Sequence, residues 1–145
     1  MLEFITFLLA PIGYAGLTTT TVMAAHGRRP VALWRLTVLV IVVHVALVWH
    51  VRYEWRLSEA TRNGYAGFVI FHAALIAIVA SLAAESRIAR RLVTAAFAAV
   101  TVGAIAATFK YDVVANYRIP VIAIALVGVA GLAYSRLPRR MARQR

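Results

Sequence analysis

Five long apolar runs constrain this chain more than any other feature. They cover about residues 4–25, 33–50, 65–84, 92–109 and 119–137, and their arginines, Arg35 and Arg136, lie only at their edges. Each is close to the roughly 20 residues that a helix needs to cross a hydrocarbon layer of about 30 Å. In lipid every backbone N–H and C=O must be paired within the chain, so only helices and closed barrels can cross. Barrel strands alternate apolar and polar residues. These runs are apolar on all sides, so the expected fold class is all-α: a polytopic integral-membrane helical bundle of about five transmembrane helices in a single domain.

Composition agrees. Hydrophobic residues make up 63% of the 145 and charged residues 14%, with a mean hydropathy of +0.80. Soluble chains average roughly 45–50% and 25% respectively. The formal net charge of +11 would suggest nucleic acid in a soluble protein. Here the basic residues sit between apolar runs and in the tail at 138–145, so no nucleic acid is expected as a partner. Anionic lipid headgroups are the expected partners of the charge. There is no cysteine, which excludes disulfides, thiolate metal sites, thiol catalysis and covalent c-type haem attachment. The opening Met1-Leu2-Glu3-Phe4 lacks the basic n-region of a secretory signal, so the first run reads as a retained span.

Local breakers set the boundaries. Gly27-Arg28-Arg29-Pro30 separates the first two runs, and Asn63-Gly64 is a turn signal before the third. Pro30 and Pro120 suit helix starts, where a missing N–H costs nothing. Pro138 suits a stop, and Pro11 implies a kink or a late start in the first helix. The short connector at 110–118 makes the fourth and fifth runs the least secure pair of crossings.

Charge sets the orientation. With the N-terminus outside, the inner segments hold Arg28, Arg29, Arg35, Arg87, Arg90, Arg91, Arg136, Arg139, Arg140, Arg143 and Arg145 against Glu85 alone. The outer segments hold Arg52, Arg56, Arg62, Lys110 and Arg118 against Glu3, Glu54, Glu59 and Asp112. Lys and Arg mark the cytoplasmic side, so the expectation is N-out and C-in, in a bacterial cytoplasmic membrane. Trp49, Tyr53, Trp55, Trp34 and Tyr134 fall at the expected interfaces, the depth that amphipathic rings prefer.

Two histidines are the candidate site. His44 and His72 each lie about seven residues inside the same end of consecutive spans, roughly 10 Å below the outer surface. A short connector suggests that these spans are antiparallel neighbours. Neutral imidazole is a common iron ligand, so the pair could hold a b-type haem from both sides. The histidines would then be its axial ligands, with Arg52, Arg56 and Arg118 as candidate partners of its propionates. The same histidines could instead contact another ligand such as a quinone, or only bond neighbouring helices. His26 and His50 lie near interfaces and read as solvated.

Thr18 to Thr21 and the heptad-spaced Thr94, Thr101 and Thr108 read as helix contacts. So do the small residues Ala73, Ala77, Ser81, Gly128 and Gly131. No phosphate-binding glycine loop, H-E-x-x-H or G-x-S-x-G is present, and no run carries a central Asp or Glu. Hydrolytic catalysis is therefore not expected, and the chain reads as at most an electron-transfer or accessory subunit. In architecture alone, the chain resembles the membrane-anchor subunits of respiratory complexes. The expected function is a small membrane subunit of a larger assembly, redox or otherwise, with other membrane subunits or copies of itself as partners. A small oligomeric transporter or channel, or a packing subunit without ligand, are the alternatives.

Overall fold

The fold is seen in a computed structural model, which describes residues 1–28 and 30–136. The end of the fifth run at 137, Pro138 and the basic tail lie outside the described residues, as does Arg29. Among the described residues there is no β-strand. Six α-helices follow one another: α1 Leu2–Ala25, α2 Val31–Val51, α3 Leu57–Thr61, α4 Tyr65–Ala80, α5 Ser86–Lys110 and α6 Arg118–Tyr134. A 3-10 turn over Asp112–Tyr117 leads into α6.

The helix ends have local causes. α1 stops where Gly27 takes φ +80°. Arg28 N–H then reaches the Met23 carbonyl at 2.9 Å, and Gly27 N–H reaches Ala24 at 3.1 Å. This paired closure needs a left-handed residue, which glycine supplies without a Cβ penalty. α1 begins at Leu2, so Pro11 lies inside it rather than at a late start. α5 begins six residues before the expected edge of the fourth run. Hydropathy marks the greasy layer, whereas a helix can continue through arginines, which are good helix formers.

The third run yields a shorter helix than expected. α4 has 16 residues, about 24 Å at 1.5 Å per residue. It ends at Ser81, whose Oγ donates to the Ile78 carbonyl at 2.6 Å, pairing one of the carbonyls that a helix end leaves open. Four segments are long and apolar enough to cross a membrane: α1, α2, α5, and the 3-10 turn with α6, which together cover Asp112–Tyr134. That is the architecture of an integral membrane protein. Much large apolar surface faces outward, including Phe4 at 68% exposure and Ile119 at 82%. In water such surface would be costly, and in lipid it is not.

α1 is the hub, packing on α2, α5 and α6, while α4 lies along α5. The core gathers Tyr14 and Leu17 from α1, Val38 from α2, Ala74 and Ile78 from α4, Phe97 from α5 and Ala125 from α6. Glycines let the backbones close. A Cβ at Gly128 would collide with the Phe97 ring, and one at Gly131 would stand 2.7 Å from Val22. α2 and α4 do meet, but lightly, through Trp34–Ser81 and Trp49–His72, and each has a larger packing partner elsewhere. The connector between Val51 and Tyr65 includes α3. Its length frees α4 to take α5, its partner across the tight turn at Ser81–Glu85.

The charged residues collect at two ends. Glu3 pairs with Arg52 at 3.1 Å, and Lys110 Nζ donates to the Asn63 carbonyl at 3.2 Å. This is the mixed-charge end. At the other, basic end, Trp34 Nε1–H donates to Ser81 Oγ at 3.1 Å, and His26 stacks on Tyr134 with centroids 6.2 Å apart.

Candidate functional site

The two singled-out histidines lie toward the mixed-charge end, and each is held by a different neighbour. His44 sits on α2, half-buried against α1. Its Nδ1 lies 2.9 Å from the Thr6 carbonyl. A carbonyl only accepts, so Nδ1 carries the proton and Nε2 keeps its lone pair. His72 sits on α4, with Nδ1 donating to the Phe68 carbonyl one turn back at 2.8 Å. Its Nε2 accepts the indole N–H of Trp49 at 3.1 Å. Both nitrogens of His72 are therefore occupied, and its tautomer is fixed as Nδ1–H.

An aromatic cluster surrounds His72. Phe68 stacks on it with centroids 4.0 Å apart, and Trp49 meets it edge-on at 5.8 Å. Tyr53 also meets Trp49 edge-on at 5.8 Å, while Trp55 lies nearly parallel to it at 6.1 Å. The turn that delivers Trp55 is unusual. Glu54 and Trp55 both take left-handed backbone, φ 47° and 61°, a conformation that costs residues with a Cβ roughly 1–2 kcal/mol each. The bond from Trp55 N–H to the Trp49 carbonyl at 3.0 Å offsets part of that cost. Burial raises the Tyr53 phenol above its ordinary value near 10; Tyr111 adds to the rise and Arg52 opposes it.

The three candidate propionate arginines already have partners. Arg52 holds Glu3 at 3.1 Å, and Arg56 lies 3.7 Å from Glu54. Arg118 donates from Nε to the Thr108 carbonyl at 2.7 Å and covers the Phe109 ring at 5.1 Å. Among the described residues, no group of three or more His, Asp or Glu is arranged to hold a metal ion. His26 bonds back to the Val22 carbonyl at 2.9 Å, and His50 is exposed.

Several polar links escaped sequence reasoning. Tyr14 OH meets Thr101 Oγ1 at 2.8 Å, tying α1 to α5 within the apolar layer. A polar group in each of two spans was the available signal, but depth alone could not pair them. Trp49–His72 and Trp34–Ser81 were hidden for a similar reason, since each tryptophan has an adequate reading at an interface and neither points to a partner. Thr19, Thr20 and Thr21 bond back to carbonyls of their own helix at 2.6–2.9 Å, and Thr94 does so at 2.8 Å.

Comparison with family models, curated proteins and solved structures finds no match.

Proposed function

We propose that this chain is a small integral-membrane subunit of a larger membrane assembly, seated against a neighbouring transmembrane helix through α4. One observation carries this. Ala66, Val69, Ala73, Ile76 and Ala80 are all exposed and follow one another at intervals of three and four residues. That spacing is the heptad seam along which a second helix packs. Alanine at every seventh position permits close backbone approach, which drives helix pairing in lipid. A face meeting only acyl chains has no need of such small residues.

In this reading the chain crosses five times, N-out and C-in, in a bacterial cytoplasmic membrane. α4 runs from the Lys110–Asn63 contact to the Trp34–Ser81 contact, which supports its counting as a crossing despite its length. Basic residues outnumber acids strongly at one end only, which supports the sidedness. His44 and His72 serve as interhelical bonds, His44 to α1 and His72 to α2.

The native chain has no cysteine, so single cysteines test the seam. In native membranes, Ala73→Cys labelled with a membrane-permeant benzophenone maleimide and then irradiated should give a cross-linked adduct with a second chain. Leu126→Cys, on the exposed face of α6, should not. Absence of any Ala73→Cys adduct refutes the reading.

A second reading has one observation in its favour. The Nδ1–H of His44 is held by a carbonyl, the arrangement that orients an imidazole for metal ligation through Nε2. Binding haem b between His44 and His72 would further require His72 to release Trp49. This reading predicts a b-type visible spectrum in the purified protein, abolished by His44→Ala or His72→Ala. A colourless protein from haem-sufficient cells refutes it.

A further inference from the structure

The basic end carries a feature that neither histidine reading uses. A shallow, open depression of about 590 Å³ lies along one face of α5, lined by Arg87, Arg90, Arg91, Thr94, Ala95 and Ala98. These positions fall at helical intervals of three and four, so they form one continuous stripe. The three arginines are exposed, and so are Ala95 and Ala98. Among the described residues, the ion pairs all lie at the mixed-charge end and none engages these arginines. Glu85 is the one acid near them in sequence.

From this geometry we infer that the α5 depression is a binding site for an acidic phospholipid, with the headgroup phosphate on Arg87, Arg90 and Arg91 and an acyl chain over Ala95 and Ala98. Charge selects the headgroup. A guanidinium fork matches two phosphate oxygens at once, and three of them line the same depression from adjacent turns. Depth selects a lipid over a free anion. Ala95 and Ala98 lie about 6 and 10 Å beyond Arg91 along the helix axis, toward the apolar interior of the span. That is where the first methylenes of a lipid follow its phosphate. The two alanines leave the surface low there, so an acyl chain can lie against the backbone. The site is independent of the α4 seam and of any ligand at the histidines.

The test is native mass spectrometry of the delipidated protein in mild detergent. It is titrated with phosphatidylglycerol, phosphatidylcholine or glycerol phosphate. Phosphatidylglycerol should bind about tenfold more tightly than phosphatidylcholine, a difference of about 1.4 kcal/mol. The variant R87Q/R90Q/R91Q should lose that preference, whereas R52Q/R56Q at the opposite end should keep it. A98L should weaken phosphatidylglycerol binding by filling the groove, with the arginines intact. All these residues are exposed, so the variants should keep wild-type helicity, checked by circular dichroism. Equal binding of the two lipids, an unchanged preference in the triple variant, or competition by glycerol phosphate at equal concentration would each overturn the inference. So would a change of oligomeric state in A98L with lipid binding unaltered, because the face would then be a protein contact.

Discussion

The bond between Trp49 and His72 makes a quantitative prediction. Trp49→Phe removes the indole donor and keeps an aromatic ring among Tyr53, Phe68 and His72. His72→Phe removes the acceptor and keeps the stack on Phe68. The bond is 3.1 Å, between neutral groups, and partly buried. Side-chain hydrogen bonds between membrane helices average about 0.6 kcal/mol and reach about 1.7. A bond deep within this cluster belongs near the middle of that range. Each single variant should therefore lose about 1 kcal/mol plus a packing term, and a double-mutant cycle should return a coupling near 1 kcal/mol. That is roughly a fivefold change in the folding equilibrium, since RT is about 0.6 kcal/mol. The assay is reversible unfolding of the detergent-solubilised protein in increasing SDS mole fraction, followed by far-ultraviolet dichroism. A coupling indistinguishable from zero would refute the claim that His72 bonds α2. In the haem reading the same Trp49→Phe frees Nε2 of His72, so haem content per chain should rise rather than fall.

Four further outcomes follow from the same geometry. Gly128→Leu places a side chain into the Phe97 ring and Thr18, and should destabilise by about 1–3 kcal/mol in the SDS assay, while Ala130→Leu on the exposed side should be neutral. Thr101→Val removes the partner of Tyr14; a loss of about 1 kcal/mol is expected, and Tyr14→Phe should restore most of it in the double variant. For sidedness, an impermeant maleimide applied to intact cells should label Ser58→Cys and spare Ser86→Cys; the reverse pattern inverts the proposed orientation. Finally, the folded state raises the Tyr53 phenol, so it disfavours the phenolate. Stability from this group is complete below about pH 10 and declines as pH rises from there toward the folded value. Tyr53→Phe should flatten the alkaline limb of a stability-against-pH curve, and an unchanged limb would count against the burial of this phenol.

What the sequence determined by itself is the class of the protein and the approximate place of its helices. Uninterrupted apolar length is a local property: the runs at 4–25 and 33–50 became Leu2–Ala25 and Val31–Val51, because lipid leaves a backbone no alternative to helix. Gly27 and Asn63-Gly64 were legible as breaks for equally local reasons. The shortness of α4 was not, since the run stays apolar past Ser81, where the helix ends beside a contact from Trp34, 47 residues away. Partner choice was not legible either. Equal depth made His44 and His72 look like a pair, yet depth fixes only one of three coordinates, and rotation about each helix axis decides which group a side chain meets. Tertiary packing supplied that rotation: it turned His44 to Thr6, gave His72 to Trp49, and left the alanines of α4 and the arginines of α5 facing outward.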